Sequence, residues 1–270
     1  MESALSLNRL SRIPKRLADD AKLFRLASNW RELLSAKRKA QSFPKIVLRN
    51  GVLLETPGEM DLNFLFHEIW LDEIYGPKGY EIRPGDTVID IGGNIGVFAA
   101  YAASRADGVE VYSFEPFPKN AEYFLSNMAK SRLSNVTLQN LAVAGQPGTR
   151  TLRVANSWGC HSLGTDGDKN AAGVEVQCTT LDKIVPDAGK CDFLKIDCEG
   201  GEYEILRNTT EATLRAVKKI VCEYHNTEQG TGPELKELLT GKQFRVDRFD
   251  EIDARSGMLY ATNLAYRPLV

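Results

Sequence analysis

The sequence predicts an α/β protein: a doubly wound, mostly parallel sheet whose last strand runs antiparallel, preceded by an N-terminal helical arm and a hairpin. Three observations carry this prediction. From Gly85 onward, short apolar strands alternate with helical stretches, the rhythm of a parallel sheet covered by helices. These strands are apolar at nearly every position, as strands buried on both faces must be. The first two also end in an acid, Asp90 and Glu115, and ligands of such sheets sit at the carboxyl ends of the strands.

Composition removes other classes. With 43% hydrophobic and 26% charged residues over 270 positions, the chain is neither collagen-like nor wholly disordered. No apolar run reaches the ~18 residues of a membrane span. Residues 1–20 lack the apolar core and cleavage site of a secretory signal, so the expected location is cytoplasmic. On that reading the glycosylation patterns at Asn135 and Asn208 are fortuitous. Five scattered cysteines (160, 178, 191, 198 and 222) show no zinc-type spacing and read as reduced thiols.

Charge is unevenly spread. Residues 1–50 hold 12 Lys and Arg against 4 Asp and Glu, a balance of +8, while the remainder stands at −10. A basic arm therefore precedes an acidic body. Residues 1–40 read as mostly helical, with Pro14 suited to a first turn and an apolar stripe at Leu17, Phe24, Leu26, Trp30 and Leu33. That stripe either packs on the body or on a second subunit, which is the favoured reading, or lies on an anionic membrane. Two apolar runs joined by Asn50-Gly51 predict a tight hairpin over Ile46–Leu54. Residues 60–75, from Asp61 to Tyr75, form an aromatic-rich helical stretch ending at Gly76-Pro77. These N-terminal pieces, residues 1–80, are expected to act as a cap or oligomer contact for a ligand-binding domain over 81–270.

In that domain Thr87–Ile91 is a strand, Ile95–Ser104 a helix, Val109–Phe114 a strand and Lys119–Lys130 a helix. Val136–Leu138, Phe193–Ile196 and Ile220–Tyr224 are further strands, with the helix Glu202–Arg207 before the last of them. Thr151–Val154 and Val174–Cys178 flank a Gly/Asp-rich loop and read as an inserted hairpin. Segments near Phe244–Phe249 and Leu259–Tyr266 finish the sheet antiparallel, bringing its strands to about seven.

The sharpest motif is Asp90-Ile-Gly92-Gly93-Asn94-Ile-Gly96, a strand, a glycine turn and a helix start. Dinucleotide folds want G-x-G-x-x-G, and the glycines here fall at 92, 93 and 96 instead. A carboxylate at Asp90 repels pyrophosphate but suits a cation, such as the ammonium and sulfonium of S-adenosylmethionine. Glu115, followed by Pro116, lies 23 residues beyond Gly92, where a carboxylate accepts ribose hydroxyls. Asn140 and Ala142 close the third strand where an adenine would lie. After the fourth strand come Asp197, Glu199, Gly200, Gly201 and Glu202. Asp197 and Glu199 face the same crevice, where they can bind the donor's amino group, act as base, or hold Mg²⁺; no metal is assigned. Glu202 reads as the start of a helix. His225 ends the fifth strand and is the favoured general base, ahead of His161 in the 155–173 loop and His67 in the aromatic helix.

Asp90-Ile-Gly-Gly-Asn-Ile-Gly96, Phe114-Glu-Pro116, Thr180-Leu-Asp182 and Lys195-Ile-Asp-Cys-Glu-Gly-Gly-Glu202 together resemble the FkbM-type methyltransferases, over roughly residues 60–250. The resemblance implies a Rossmann-like sheet of seven strands, S-adenosylmethionine as cofactor, and mostly O-methylation of sugar or polyketide hydroxyls, sometimes of carboxylates. It implies cofactor contacts at Asp90, Gly92, Asn94, Gly96 and Glu115. Cys198, where family members commonly carry a small aliphatic residue, reads as packing.

The expected partner is a small-molecule acceptor, with no nucleic acid; membrane contact of the arm and a homo-oligomer are the further readings. A nicotinamide-dependent oxidoreductase is the rival enzyme class, disfavoured by the glycine spacing and the missing Tyr-x-x-x-Lys pair. A non-catalytic binding module is the rival outside enzymes, disfavoured by the acids after strands four and five. A nucleic-acid base methylase is disfavoured by the missing Asn/Asp-Pro-Pro-aromatic motif.

Overall fold

The computed structural model describes residues 17–43, 45–56, 62–153 and 173–269. Pro14, Asp61, Val154, Cys160 and His161 lie outside them, so the expectations placed there are not addressed.

Among the described residues the arm holds two helices, α1 over 17–26 and α2 over Trp30–Arg38. They are parted where Ala27 bridges Leu48, Ser28 N donates to Val47 O (2.7 Å) and Asn29 Oδ1 accepts from Val47 N (3.0 Å). The predicted stripe is also split. Leu33 is buried as expected, but Leu17 and Phe24 are 65% and 51% exposed, and Leu23 and Ala27 face the core instead. Two apolar stripes run along α1, and periodicity alone does not say which one is covered.

The hairpin forms as predicted, from β1 (Lys45–Val47) and β2 (Leu53–Glu55) around Asn50-Gly51. It is pinned to helix α5 (Pro118–Ser131): Asn127 Oδ1 accepts from Glu55 N (2.9 Å), and its amide donates to Glu55 O (3.1 Å) and Ile95 O (2.9 Å). Asn127→Ala would strand these buried backbone groups. It is expected to lower stability by about 3 kcal/mol in urea denaturation, whereas a loss under about 1 kcal/mol would mean water replaces the amide.

The predicted helix over 60–75 is shorter and wider than expected. Helix α3 (Leu62–Phe66) runs into a π-helical turn, His67–Leu71, closed by Asp72 N donating to His67 O (2.8 Å). His67 there joins Asp19 of the arm (3.1 Å) to Asp72 (3.3 Å).

Beyond it come β3 (Thr87–Ile91), α4 (Val97–Ala103), β4 (Glu110–Phe114), α5, β5 (Val136–Gln139) and β6 (Ala142–Val143). The inserted hairpin is β7 (Gly148–Arg153) and β8 (Gly173–Thr179), in register from Gly148↔Cys178 to Arg153↔Gly173, with β6 added parallel to β8. Then follow α6 (Leu181–Ala188), β9 (Phe193–Ile196), α7 (Glu202–Asn208), α8 (Glu211–Arg215), β10 (Lys219–His225), α9 (Gly232–Gly241), β11 (Phe244–Glu251) and β12 (Ser256–Asn263).

The main sheet has seven strands in the order β11-β12-β10-β9-β3-β4-β5. β5, β4, β3, β9 and β10 are mutually parallel, and β12 runs antiparallel to both β10 and β11. The last strand thus slots between its predecessors instead of closing the edge. Strand alternation divides the core. Val88, Val111, Phe193 and Val221 face α4, the arm and the aromatic residues Trp70, Tyr75, Phe98 and Tyr101. Ile89, Leu194, Ile220 and Cys222 face α6, α7 and α9. Asp90 and Lys195, two residues on from Val88 and Phe193, therefore point toward the aromatic side. Among the described residues no helix is long and apolar enough to cross a membrane.

Candidate active site

A cavity opens at the carboxyl ends of β3, β4 and β9, with about 590 Å³ of empty space counting its mouth. Its walls are Gly92 and Asn94 from the β3–α4 turn, Glu115, Pro116 and Asn120 beyond β4, Ala142 and Val143 of β6, and Asp197, Cys198 and Glu199 beyond β9. The turn is drawn onto the end of β4 because Gly92 N and Gly93 N both donate to Phe114 O (3.0 and 2.9 Å).

Glu115 is the buried acid of this cavity. Burial pushes its carboxyl up to about 7, against the lowering effect of hydrogen bonds from Phe117 N (2.9 Å), Asn94 N (2.8 Å) and the Asn120 amide (3.4 Å). Two other cavity side chains carry buried oxygens with no partner, Asn94 Oδ1 and Asn120 Oδ1. Unmet acceptors beside a buried carboxylate make this wall ready for a ligand that donates hydrogen bonds.

Of the residues singled out from sequence, Gly92, Asn94, Glu115, Pro116, Ala142, Asp197 and Glu199 line the cavity. Asp90 does not. It is fully buried beneath the turn, accepting from the Ser113 hydroxyl (2.7 Å) and paired with Lys195 Nζ (3.1 Å). Gly93 and Gly96 lie against Phe124 of α5, and Asn140 donates to Glu115 O (2.7 Å) and Pro116 O (3.0 Å), fixing the chain beyond β4. These four support the cavity from behind. Cys198, read as packing, lines it.

Lys195 escaped the sequence reading. Its ammonium donates to Ile91 O (3.2 Å) and Gly92 O (2.7 Å), pairs with Asp90 and approaches Asp197 (3.7 Å). Burial alone would lower its pKa, but Asp90, Asp197 and Glu223 outweigh that and raise it. One buried cation thus ties the β3 turn to the end of β9.

A second, acidic face adjoins the cavity at Asp197. The Tyr75 hydroxyl lies 3.0 Å from Asp197 Oδ2 and 3.1 Å from Glu223 Oε2. Burial and the neighbouring carboxylates push Glu68 up to about 7 and Glu223 up to about 8. His225 sits among them. Its Nδ1 contacts Glu202 Oε1 (3.0 Å), and its Nε2 faces Glu199 (3.5 Å) and Glu223 (3.9 Å). Burial opposes its charge, yet Glu202, Asp197 and Glu199 raise it to about 10, so it stands as imidazolium at neutral pH. Glu202 does begin α7 as predicted, but its carboxylate turns back to accept from Cys198 N and Gly200 N (both 3.2 Å) and to hold His225.

Mg²⁺ does not fit this arrangement. Asp197, Glu199 and His225 bring one ligand atom each within 4.8 Å of one another. Mg²⁺ wants a near-octahedral shell of oxygens. Here both imidazole nitrogens face carboxylates, and Asp197 is engaged by Tyr75 and Lys195.

The Methyltransferase FkbM domain family matches residues 90–254, from the acid ending β3 to the turn between β11 and β12. The chain belongs to the FkbM methyltransferase family. The 31-O-demethyl-FK506 methyltransferase FkbM of Streptomyces tacrolimicus is 27% identical over 234 residues, covering 74% of this chain and 88% of its own length. The hexuronic acid methyltransferase AglP of Haloferax volcanii is 26% identical over 149 residues, 54% of this chain and 58% of its own. Among solved structures, a SAM-dependent methyltransferase from Aquifex aeolicus aligns with a TM-score of 0.41 at 16% identity, covering 73% of this chain and 89% of that one.

Proposed function

We propose that this FkbM-family protein is an S-adenosylmethionine-dependent O-methyltransferase acting on a hydroxyl or carboxylate of a small molecule. The observation that carries the cofactor reading is the cavity wall of Glu115, Asn94 and Asn120, a buried carboxylate with two unpartnered amide oxygens at the ends of β3 and β4. That set accepts hydrogen bonds from ribose hydroxyls and from an amino group, and it offers nothing positive to a pyrophosphate. When bound, S-adenosylmethionine supplies an electrophilic methyl on a sulfonium. Ala142 and Val143 give an apolar wall for the base, and Asp197 and Glu199 put negative charge at the far end, where the ligand's cationic groups would lie. The chain's role is then largely positioning, holding an acceptor oxygen in line with the methyl.

The relative named for a 31-O position supports oxygen as the methylated atom. The acidic face around Asp197, Glu199 and Glu223 favours a small molecule over nucleic acid, whose phosphates it would repel. The exposed Leu17 and Phe24 of α1 are left for a second subunit or a membrane to cover.

Calorimetry tests the cofactor site. Glu115→Gln is expected to weaken S-adenosylmethionine binding roughly 10- to 150-fold, the usual worth of a hydrogen bond to a charged group. The pH dependence follows from the raised carboxyl. Ionised Glu115 accepts the ligand's hydrogen bonds, and protonation removes that capacity. Wild-type affinity should therefore be full above pH 8 and fall toward tenfold per unit below about 7. Glu115→Gln should flatten that dependence; unchanged affinity in the folded variant would remove Glu115 from the site.

A further inference from the structure

The favoured base from sequence was His225, but both of its nitrogens face carboxylates: Nδ1 toward Glu202, Nε2 toward Glu199 and Glu223. An imidazole so enclosed keeps both protons and has no lone pair to offer an acceptor. Base chemistry at this face therefore falls to a carboxylate.

Three are candidates. Asp197 already has its Oδ2 engaged, by the Tyr75 hydroxyl at 3.0 Å and the Lys195 ammonium at 3.7 Å. Glu199 faces the imidazolium directly at 3.5 Å. Glu223 is the least neutralised. Its Oε2 shares the single Tyr75 proton with Asp197, and its Oε1 stands off from His225 at 3.9 Å. Through Tyr75 it stands one hydroxyl away from Asp197, which lines the donor cavity.

We propose that Glu223 is the catalytic base that takes the proton of an acceptor hydroxyl, and that its carboxylate neighbours make the acceptor side selective for uncharged or cationic molecules. This rests on the methyltransferase reading above. The acceptor O–H bond breaks as its proton passes to a Glu223 oxygen. The freed electron pair forms the new C–O bond to the methyl carbon, and the C–S pair returns to sulfur, leaving a neutral thioether. No oxidant or further reactant is needed. Tyr75 is a positioning residue, since it orients Glu223 against Asp197 without itself meeting the acceptor.

The charged and titratable groups around Glu223 are Glu68 on the π-helical turn, Tyr75 in the loop after it, Lys195 on β9 with Asp197 beyond it, Tyr260 on β12, and His225 on β10 itself, which carries Glu199 on its other side. Burial, Asp197 and Glu68 together raise the carboxyl to about 8 against the lowering pull of His225. A base serves best when its pKa lies near the working pH. The same negative ring opposes a second carboxylate, so an acceptor that is itself an acid is disfavoured.

The test begins with calorimetry of S-adenosylmethionine on the wild-type chain. Absent binding removes the methyltransferase reading and this inference with it. With binding in hand, labelled cofactor and matched neutral and acidic acceptors, such as methyl glycosides and the corresponding methyl glycuronosides, are compared by product mass spectrometry. Methyl ethers from neutral members are expected; methyl esters as the preferred product overturn the selectivity. On the acceptor so found, Glu223→Gln should lower kcat about 10²- to 10⁴-fold. Its cofactor affinity should stay within threefold of wild type, and the rate should lose its ascending limb near pH 8. Wild-type kcat in Glu223→Gln overturns the base assignment alone. Glu68→Gln gives a separate reading: removing one repelling carboxylate should shift the limb to lower pH, and an unmoved limb also overturns the assignment.

Discussion

Replacing Lys195 by methionine is expected to cost about 3–5 kcal/mol of folding stability, because it leaves a buried carboxylate without its counter-charge. Asp90 is fully buried, and only the Ser113 hydroxyl would remain as its partner. The carbonyls of Ile91 and Gly92 would lose their donor at the same time. The ammonium also packs over the rings of Tyr75 and Phe98, at 5.5 and 5.7 Å, so methionine can fill the volume but not the electrostatic role. Lys195→Met/Asp90→Asn removes both charges while keeping an acceptor for Ser113, and it should recover more than half of the loss. Urea denaturation of the two variants measures the coupling. A single variant within 1 kcal/mol of wild type would show that the pair contributes little.

Lys195 also shows where sequence reasoning stops. The strands were legible because Thr87–Ile91 and Phe193–Ile196 are short, apolar and bounded by turns, features confined to neighbouring residues. Gly92, Glu115 and Asp197 were legible because a strand-end acid or glycine turn has meaning wherever the strand lies in the sheet. A lysine inside a buried strand has none until Asp90 of the adjacent strand is known to stand beside it. Asp90 was read as a ligand contact for the same reason, since its sequence position was clear and its neighbour was not. The acidic face is less local still. Glu68, Tyr75 and Glu223 meet from elements up to 155 residues apart, and no spacing rule joins them. The stripe on α1 failed differently, because two apolar faces compete there and only the position of the hairpin decides between them.

Gly92→Ala is expected to abolish detectable cofactor binding while leaving most of the sheet intact. Gly92 sits at φ +82°, and a Cβ built there would fall 1.7 Å from the carbonyl oxygen of Asp197. Backbone cannot yield to that as a flexible side chain could, so the ends of β3 and β9 would have to part. Gly92, Asn94, Asp197 and Glu199 all line the cavity, and separating the two strand ends moves both of its walls. Gly189 supplies the control. It follows α6 at φ +76°, with nothing within 4 Å of its would-be Cβ. Gly189→Ala should therefore cost only the strain of a left-handed alanine, about 1–2 kcal/mol, with wild-type affinity. Gly92→Ala carries that strain plus the collision, so its melting temperature should fall further and its affinity for S-adenosylmethionine by at least 100-fold. Thermal denaturation and calorimetry on both variants separate the two contributions. Binding within tenfold of wild type in Gly92→Ala would mean that the β3 turn is not the wall the ligand rests on.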